Sequence, residues 1–288
     1  MTSVRLPWSL VRQSLAAWVD DDAASKGAAL AYYTLFSLAP LLLIVISVAG
    51  LVFGPEAARG EIFGQLQGLV GAPGAAAIQQ LLESVSRPAD GWLATGVGLG
   101  LMLVGATTVF AELQNTLDRI WRAPARPNGG LWPLLRARLL SFGLILGLGF
   151  LLMVSLVFSA ALSAAQQWWS SRLQGWDTAV TLINLATTFT LVTLMFAMIF
   201  KLMPRVRIEW SDVWVGALVT ACLFTVGRLL LGAYLGHGSV ASGFGAAGSL
   251  VVVLVWVYYS AQIFLLGAEF TWVYAHTLGS RRNTGLAM

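Results

Sequence analysis

Apolar residues gather in six long blocks, roughly 28–53, 91–111, 139–164, 178–203, 213–235 and 249–274, with short polar connections between them. Each block approaches or exceeds the ~20 residues, at 1.5 Å rise, that a helix needs to cross a ~30 Å hydrocarbon core. The pattern predicts an all-α fold: a polytopic membrane protein with six transmembrane helices, forming a single integral domain over 1–288.

Two shorter elements have a different character. In 1–25, Trp8, Val11, Leu15 and Trp18 recur at helical spacing with Arg5 and Arg12 off that face, as in an amphipathic helix lying in the interface. Arg5, Pro7 and Arg12 interrupt any apolar core that a signal peptide would need, and Asp20, Asp21 and Asp22 end the helix. In 54–90, Ile62, Leu66 and Leu69, then Ile78, Leu81, Leu82 and Val85, follow a helical period. Gly71-Ala72-Pro73-Gly74 is expected to divide this stretch into a hairpin of two short amphipathic helices on the outer rim. Residues 112–121 read as a polar continuation of span two, and no internal repeat or low-complexity tract is present.

Charge then orients the chain, because cytoplasmic connections retain Lys and Arg. Arg5, Arg12 and Lys26 precede span one, and Arg119, Arg122, Arg126, Arg136 and Arg138 lie between spans two and three. Lys201, Arg205 and Arg207 join spans four and five, and Arg281 and Arg282 follow span six. The opposite side carries Arg59, Arg87 and Arg172, so both termini are expected to be cytoplasmic. Composition agrees: 58% hydrophobic against 10% charged, with mean hydropathy +0.78 and a pI near 9.6. Basic residues spread over short loops flanking hydrocarbon suit anionic headgroups, and no nucleic-acid partner is expected. Cys222 is the single cysteine, which excludes a disulfide framework and a cysteine-based metal site. The glycines at 236, 238, 243, 245 and 248 lack the Lys of a Walker loop and the strand of a dinucleotide fingerprint, so no cofactor is expected.

Polar residues inside the spans carry the candidate chemistry, since an ionisable group in hydrocarbon costs a few kcal/mol. Tyr258, Gln262 and Glu269 fall within about 40° on span six. Lys26, Tyr33, Ser37, Pro40 and Ser47 share a stripe on span one, if that helix continues through a kink at Pro40. Thr108, Glu112, Asn115 and Arg119 form a third stripe. Lys26, Glu112 and Glu269 lie at one level, the expected cytoplasmic end, where they could form a shared polar mouth or simply be solvated in the interface. Arg228 is placed ~10 Å below the outer surface, where it can snorkel or pair with a lipid phosphate, a substrate anion or a carboxylate.

The stretch Lys26-Gly-Ala-Ala-Leu-Ala-Tyr-Tyr-Thr-Leu-Phe-Ser-Leu-Ala-Pro40 resembles the opening signature of the YihY/BrkB family of bacterial inner-membrane proteins. Trp256-Val-Tyr-Tyr-Ser-Ala-Gln-Ile-Phe-Leu-Leu-Gly-Ala-Glu-Phe270 resembles that family's last span, and 204–216, with its Trp210-Ser-Asp212 turn, resembles the entry to span five. The resemblance implies a six-helix inner-membrane protein with both termini inside. Members carry ribonuclease BN and virulence-factor labels and are suspected transporters of lipids or small solutes.

Ribonuclease chemistry needs a metal cluster or a paired acid and base. His237 and His276 are the only histidines and are expected to face opposite compartments, so no catalytic or metal site is expected; a lipid-modifying enzyme would have to work through Glu112 or Glu269. The favoured expectation is a transporter or a protein translocating a lipid, an anionic lipid or a small solute, because polar stripes make sense around a hydrated path. The alternative is a non-transporting envelope scaffold that docks a partner protein through the outer hairpin. Small residues such as Gly143, Gly147 and Gly216 suit intramolecular packing and a homo-oligomer equally well.

Overall fold

The computed structural model describes residues 5–86, 108–124, 143, 147, 150, 151, 154, 176–236 and 248–282. Every element among these is helical: α1 (Arg5–Asp20), α2 (Ala23–Phe53), α3 (Pro55–Ser86), α4 (108–120), α5 (Trp176–Leu202), α6 (Trp210–Gly236) and α7 (Gly248–Thr277). Most of the expected third span, the first part of the second, and the glycine-rich connection at 237–247 lie outside the described residues.

Among the described residues three helices are long and apolar enough to cross a membrane: Thr178–Leu202, Trp210–Leu231 and Leu250–Thr277. Their outward surfaces expose Leu182, Leu185, Leu218, Val226, Leu229 and Leu230, side chains that gain from contact with acyl chains rather than water. Their inward surfaces interlock through aromatic rings, with Phe200 5.2 Å from Phe264 and Phe196 5.7 Å from Phe224 between ring centroids. Helix α7 is the hub, packing against α1, α2, α3 and α6.

Between α6 and α7 the backbones approach at two reciprocal points. Gly216 lies against Thr271 and Gly267 lies against Thr220, so each helix sets a threonine into the groove that the other's glycine leaves. Each threonine hydroxyl is turned back onto its own helix, Thr220 donating to the Gly216 carbonyl at 2.7 Å and Thr271 to the Gly267 carbonyl at 2.6 Å. Small residues of this kind let membrane helices gain dispersion contact where no hydrophobic force acts between them.

The 54–90 stretch differs from the expected hairpin. Residues 55–86 form one helix that runs through Gly71-Ala72-Pro73-Gly74 without a break. Gly54 at φ 85° makes the turn out of α2, a conformation that costs an L side chain but not glycine. With a one-residue connection and extensive mutual packing, α3 folds back antiparallel to α2. Phe63, Leu66, Ala75 and Ile78 then share one apolar cluster with Leu35, Leu38 and Leu42 of α2 and Val253, Trp256 and Val257 of α7. That continuous surface flanks Pro73 on both sides and overrides its local preference to break the helix.

Helix α1 exposes Trp8 (71%), Val11, Leu15 and Val19 while burying Leu10 and Ser14. Trp18, the last residue of the predicted interfacial face, packs against the main core.

Candidate functional site

At one end of the bundle α1, α4, α5 and α7 stop and α6 starts, and Arg119, Arg122, Lys201, Arg205, Arg207, Arg281 and Arg282 collect there. We call it the basic end. Its centre is a buried cluster drawn from three distant segments. Asp21, at the α1–α2 junction, is 5% exposed and accepts a hydrogen bond from Arg122 Nη1 on Oδ1 at 2.6 Å. The Nε of Arg119 lies 3.8 Å from the same oxygen. Glu269 of α7 is fully buried at 0% exposure, and Asp21 is its principal charged neighbour, followed by Arg122 and Asp20.

Local backbone explains how these groups meet. Helix α4 ends in a Schellman motif, with Ala123 N–H donating to the Asp118 carbonyl at 2.8 Å and Arg122 N–H to the Arg119 carbonyl at 3.0 Å. The left-handed residue of that motif, usually glycine, is Arg122 at φ 50°. A side chain held there costs of order 1 kcal/mol. What offsets it is the guanidinium, which reaches Asp21 and also sits 5.6 Å over the Trp272 ring. On the other side, Asp22 at φ 54° turns the chain between α1 and α2 and leaves Asp21 pointing inward.

Around this centre the basic end is pinned by polar contacts over long sequence separations. Arg205 Nε pairs with Asp118 Oδ2 at 2.9 Å, and Gln114 Nε2 donates to the Met203 carbonyl at 3.0 Å. Lys201 donates to the Ile208 carbonyl, and its ammonium lies 5.2 Å from the Trp210 ring centroid. Asp212 is buried and accepts from the Ser280 hydroxyl at 2.6 Å, fastening the segment after α7 to the start of α6. Arg281 stacks 5.4 Å from the Trp121 ring and donates to the Arg207 carbonyl at 2.6 Å.

Several buried polar atoms are left without partners among the described residues. They include both carboxyl oxygens of Glu269, Oδ2 of Asp21, Oε1 of Gln262, and the indole nitrogens of Trp18 and Trp121. Such groups are uncommon in folded proteins, and each calls for a reason.

The residues expected from sequence are distributed as follows. Gln262 and Glu269 both face the N-terminal segment, Gln262 donating to the Ala24 carbonyl at 3.2 Å, whereas Tyr258 of the same stripe is exposed. Ser37 is fully buried and donates to the Thr34 carbonyl at 3.1 Å, Tyr33 and Lys26 are half-buried, and α2 continues through Pro40. In α4 the stripe through Glu112 turns away from the core: Glu112 is half-buried and Asn115 and Arg119 are exposed, while Gln114 and Asp118 face inward. The charged groups that act on Glu269 are thus Asp21, Arg122 and Asp20, and neither Lys26 nor Glu112 is among them.

Arg228 stands apart, in a crevice between α6 and α7 bordered by Phe224, Trp256, Tyr259 and Ser260. It is half-buried, and none of the ion pairs among the described residues involves it. From the level of Tyr259 to Glu269 is ten residues of α7, or ~15 Å, so the two groups belong to different depths.

Long apolar helices closed at one end by a buried ionic cluster define an all-helical membrane protein. The family model described as virulence factor BrkB matches residues 14–287, and the chain belongs to that family. It is 28% identical over 260 residues to a UPF0761 membrane protein of Pseudomonas paraeruginosa, covering 87% of this chain and 59% of that protein. A UPF0761 membrane protein of Verminephrobacter eiseniae is 27% identical over 280 residues, covering 93% of this chain and 62% of its own length. A third, from Neisseria meningitidis serogroup B, is 26% identical over 267 residues, with 92% and 62% covered. The chain therefore spans about six-tenths of the length of the curated relatives it matches. No solved structure matches it.

Proposed function

We propose that this chain is a multi-pass inner-membrane transporter, or translocating protein, for a lipid or small solute bearing an anionic group. It acts as a non-enzymatic carrier along a polar path through spans one, two, five and six. The observation that supports this most is Arg228. An arginine within a span costs ~2.5–3.5 kcal/mol on insertion scales, and it is normally retained with a partner or a task. Here it sits between two spans in a crevice also lined by Tyr259 and Ser260, and among the described residues no carboxylate is paired to it. A guanidinium in an aromatic-walled crevice suits a phosphate or carboxylate headgroup whose apolar part stays in lipid.

The scaffold alternative draws less support, because Leu66, one of the residues it would use for docking, packs inside the protein against α2 and α7. The test is translocation of a fluorescent anionic phospholipid in proteoliposomes. Wild type is expected to exceed Arg228→Ala at least tenfold, with Arg228→Lys between them, while all three keep the same melting temperature. Equal rates for wild type and Arg228→Ala would remove the proposal.

A further inference from the structure

We propose that Asp21 and Glu269 bind one monovalent cation, a proton or a sodium ion, between their carboxyl groups at the basic end of the bundle. Two observations support it independently. The first is a pair of buried carboxyls that face each other. Glu269 is 0% exposed and no N–H or O–H donor among the described residues reaches either of its oxygens. Its hydrogen-bonding neighbour is the Asp21 carboxyl, which keeps Oδ2 buried after giving Oδ1 to Arg122, so the two acceptors can be joined only by a cation shared between them. An ionised carboxylate buried without compensation is too costly to persist, so something positive belongs beside it.

The second is the charge balance. The groups facing the pair are Asp20 from α1 and Arg119 and Arg122 from the end of α4. Arg122 neutralises one of the two buried carboxylates and leaves one negative charge. Arg119 reaches only the oxygen that Arg122 already holds, at 3.8 Å and from a half-exposed position where water screens it, and the exposed Asp20 opposes it.

The donor set defines the ligand's chemistry. Three carboxylate oxygens are hard donors, which suit a proton or a hard cation rather than a transition metal. A single positive charge completes the balance, whereas a divalent ion would face the Arg122 guanidinium on the neighbouring oxygen. Both arginine side chains are half-exposed, so the site borders water on the side from which a cation would enter.

Cation binding at this site does not depend on the transport reading, and it can be measured with no flux. The full chain, purified in detergent, would be melted in choline chloride and in sodium chloride at equal ionic strength, with infrared spectra recorded for the carbonyl stretch of a protonated carboxylic acid. If sodium is the ligand, it raises the wild-type melting temperature by several degrees, and Glu269→Gln and Asp21→Asn lose that shift. If the proton is the ligand, sodium has no effect, and the carboxylic-acid band is present in wild type at neutral pH and absent from Glu269→Gln. Glu83→Gln, an exposed carboxylate on α3, leaves either signal in place. Should neither amide variant fold, Glu269→Asp takes their place and is expected to weaken sodium at least tenfold or to shift the band. Absence of both signals from wild type, or their persistence in the variants, would overturn the proposal.

Discussion

Replacing Gly267 with alanine is expected to destabilise the protein by about 1–3 kcal/mol through the α6–α7 contact alone. A Cβ at this position would meet Thr220 Oγ1 first and then Thr220 Cβ and Cγ2, each at 2.8 Å. Thr220 has little freedom to yield. It is β-branched and fully buried, and its hydroxyl is engaged with the Gly216 carbonyl at 2.7 Å. Overpacking of a close contact costs about 1–3 kcal/mol, and losing the threonine hydrogen bond adds about 1. Against this, alanine gains about 1 kcal/mol over glycine in helix propensity, which leaves the net figure. The assay is reversible unfolding in mixed micelles, with a double-mutant cycle against Thr220→Ala, which removes the hydroxyl and the methyl but leaves the Cβ. Relief of at least 1 kcal/mol in the double variant is expected for directly touching residues. If Gly267→Ala falls within 0.5 kcal/mol of wild type, or the two substitutions are simply additive, the close approach is not what holds these helices together.

Further outcomes follow from the basic end. Arg122→Ala strands the buried Asp21 carboxylate; because the guanidinium is itself half-exposed, the loss should be about 1–2 kcal/mol, read by thermal unfolding, rather than the 3–5 of a fully buried pair. Arg122→Gly should unfold at a higher temperature than Arg122→Ala, since glycine relieves the left-handed backbone of the helix end. Asp212→Ala should cost about 1–3 kcal/mol and make the bonds after residue 279 more sensitive to limited proteolysis, because the Ser280 hydroxyl and N–H lose their acceptor. In a Cys222→Ser background, cysteine at position 282 should react with a membrane-impermeant maleimide only in inside-out vesicles and cysteine at position 56 only in right-side-out ones. Reaction of both from one side would refute the charge-based orientation.

Much of the helical layout was legible because hydropathy and helix length answer to the same bilayer. The blocks at 178–203, 213–235 and 249–274 lie within a residue or so of, or inside, α5, α6 and α7. The residual differences fall where helices run on past the hydrocarbon pattern, as at Trp210-Ser-Asp212, whose carboxylate is held by a residue 68 positions away. Residues 71–74 misled because their local breaking signal is real but loses to a packed surface on two other helices, which no local pattern reports.

Within the cluster, Glu269 and Gln262 stood out as polar residues in an apolar run. Asp21 read as one of three acids that end the first helix and Arg122 as one of many inside-positive charges. What distinguishes them is a pairing across 101 residues and a left-handed backbone at Arg122, neither of which periodicity can carry. In α4 the charged stripe was traced through 112, 115 and 119, but burial selects 114 and 118, where Met203 and Arg205 supply partners.

The central claim is that an anionic headgroup occupies the Arg228 crevice, and native mass spectrometry of protein gently extracted from its own membrane tests it most directly. Wild type is predicted to retain a defined anionic lipid or solute that Arg228→Ala loses, while Glu269→Gln, ~15 Å away along α7, still carries it. Identical bulk lipid on all three forms would contradict the account.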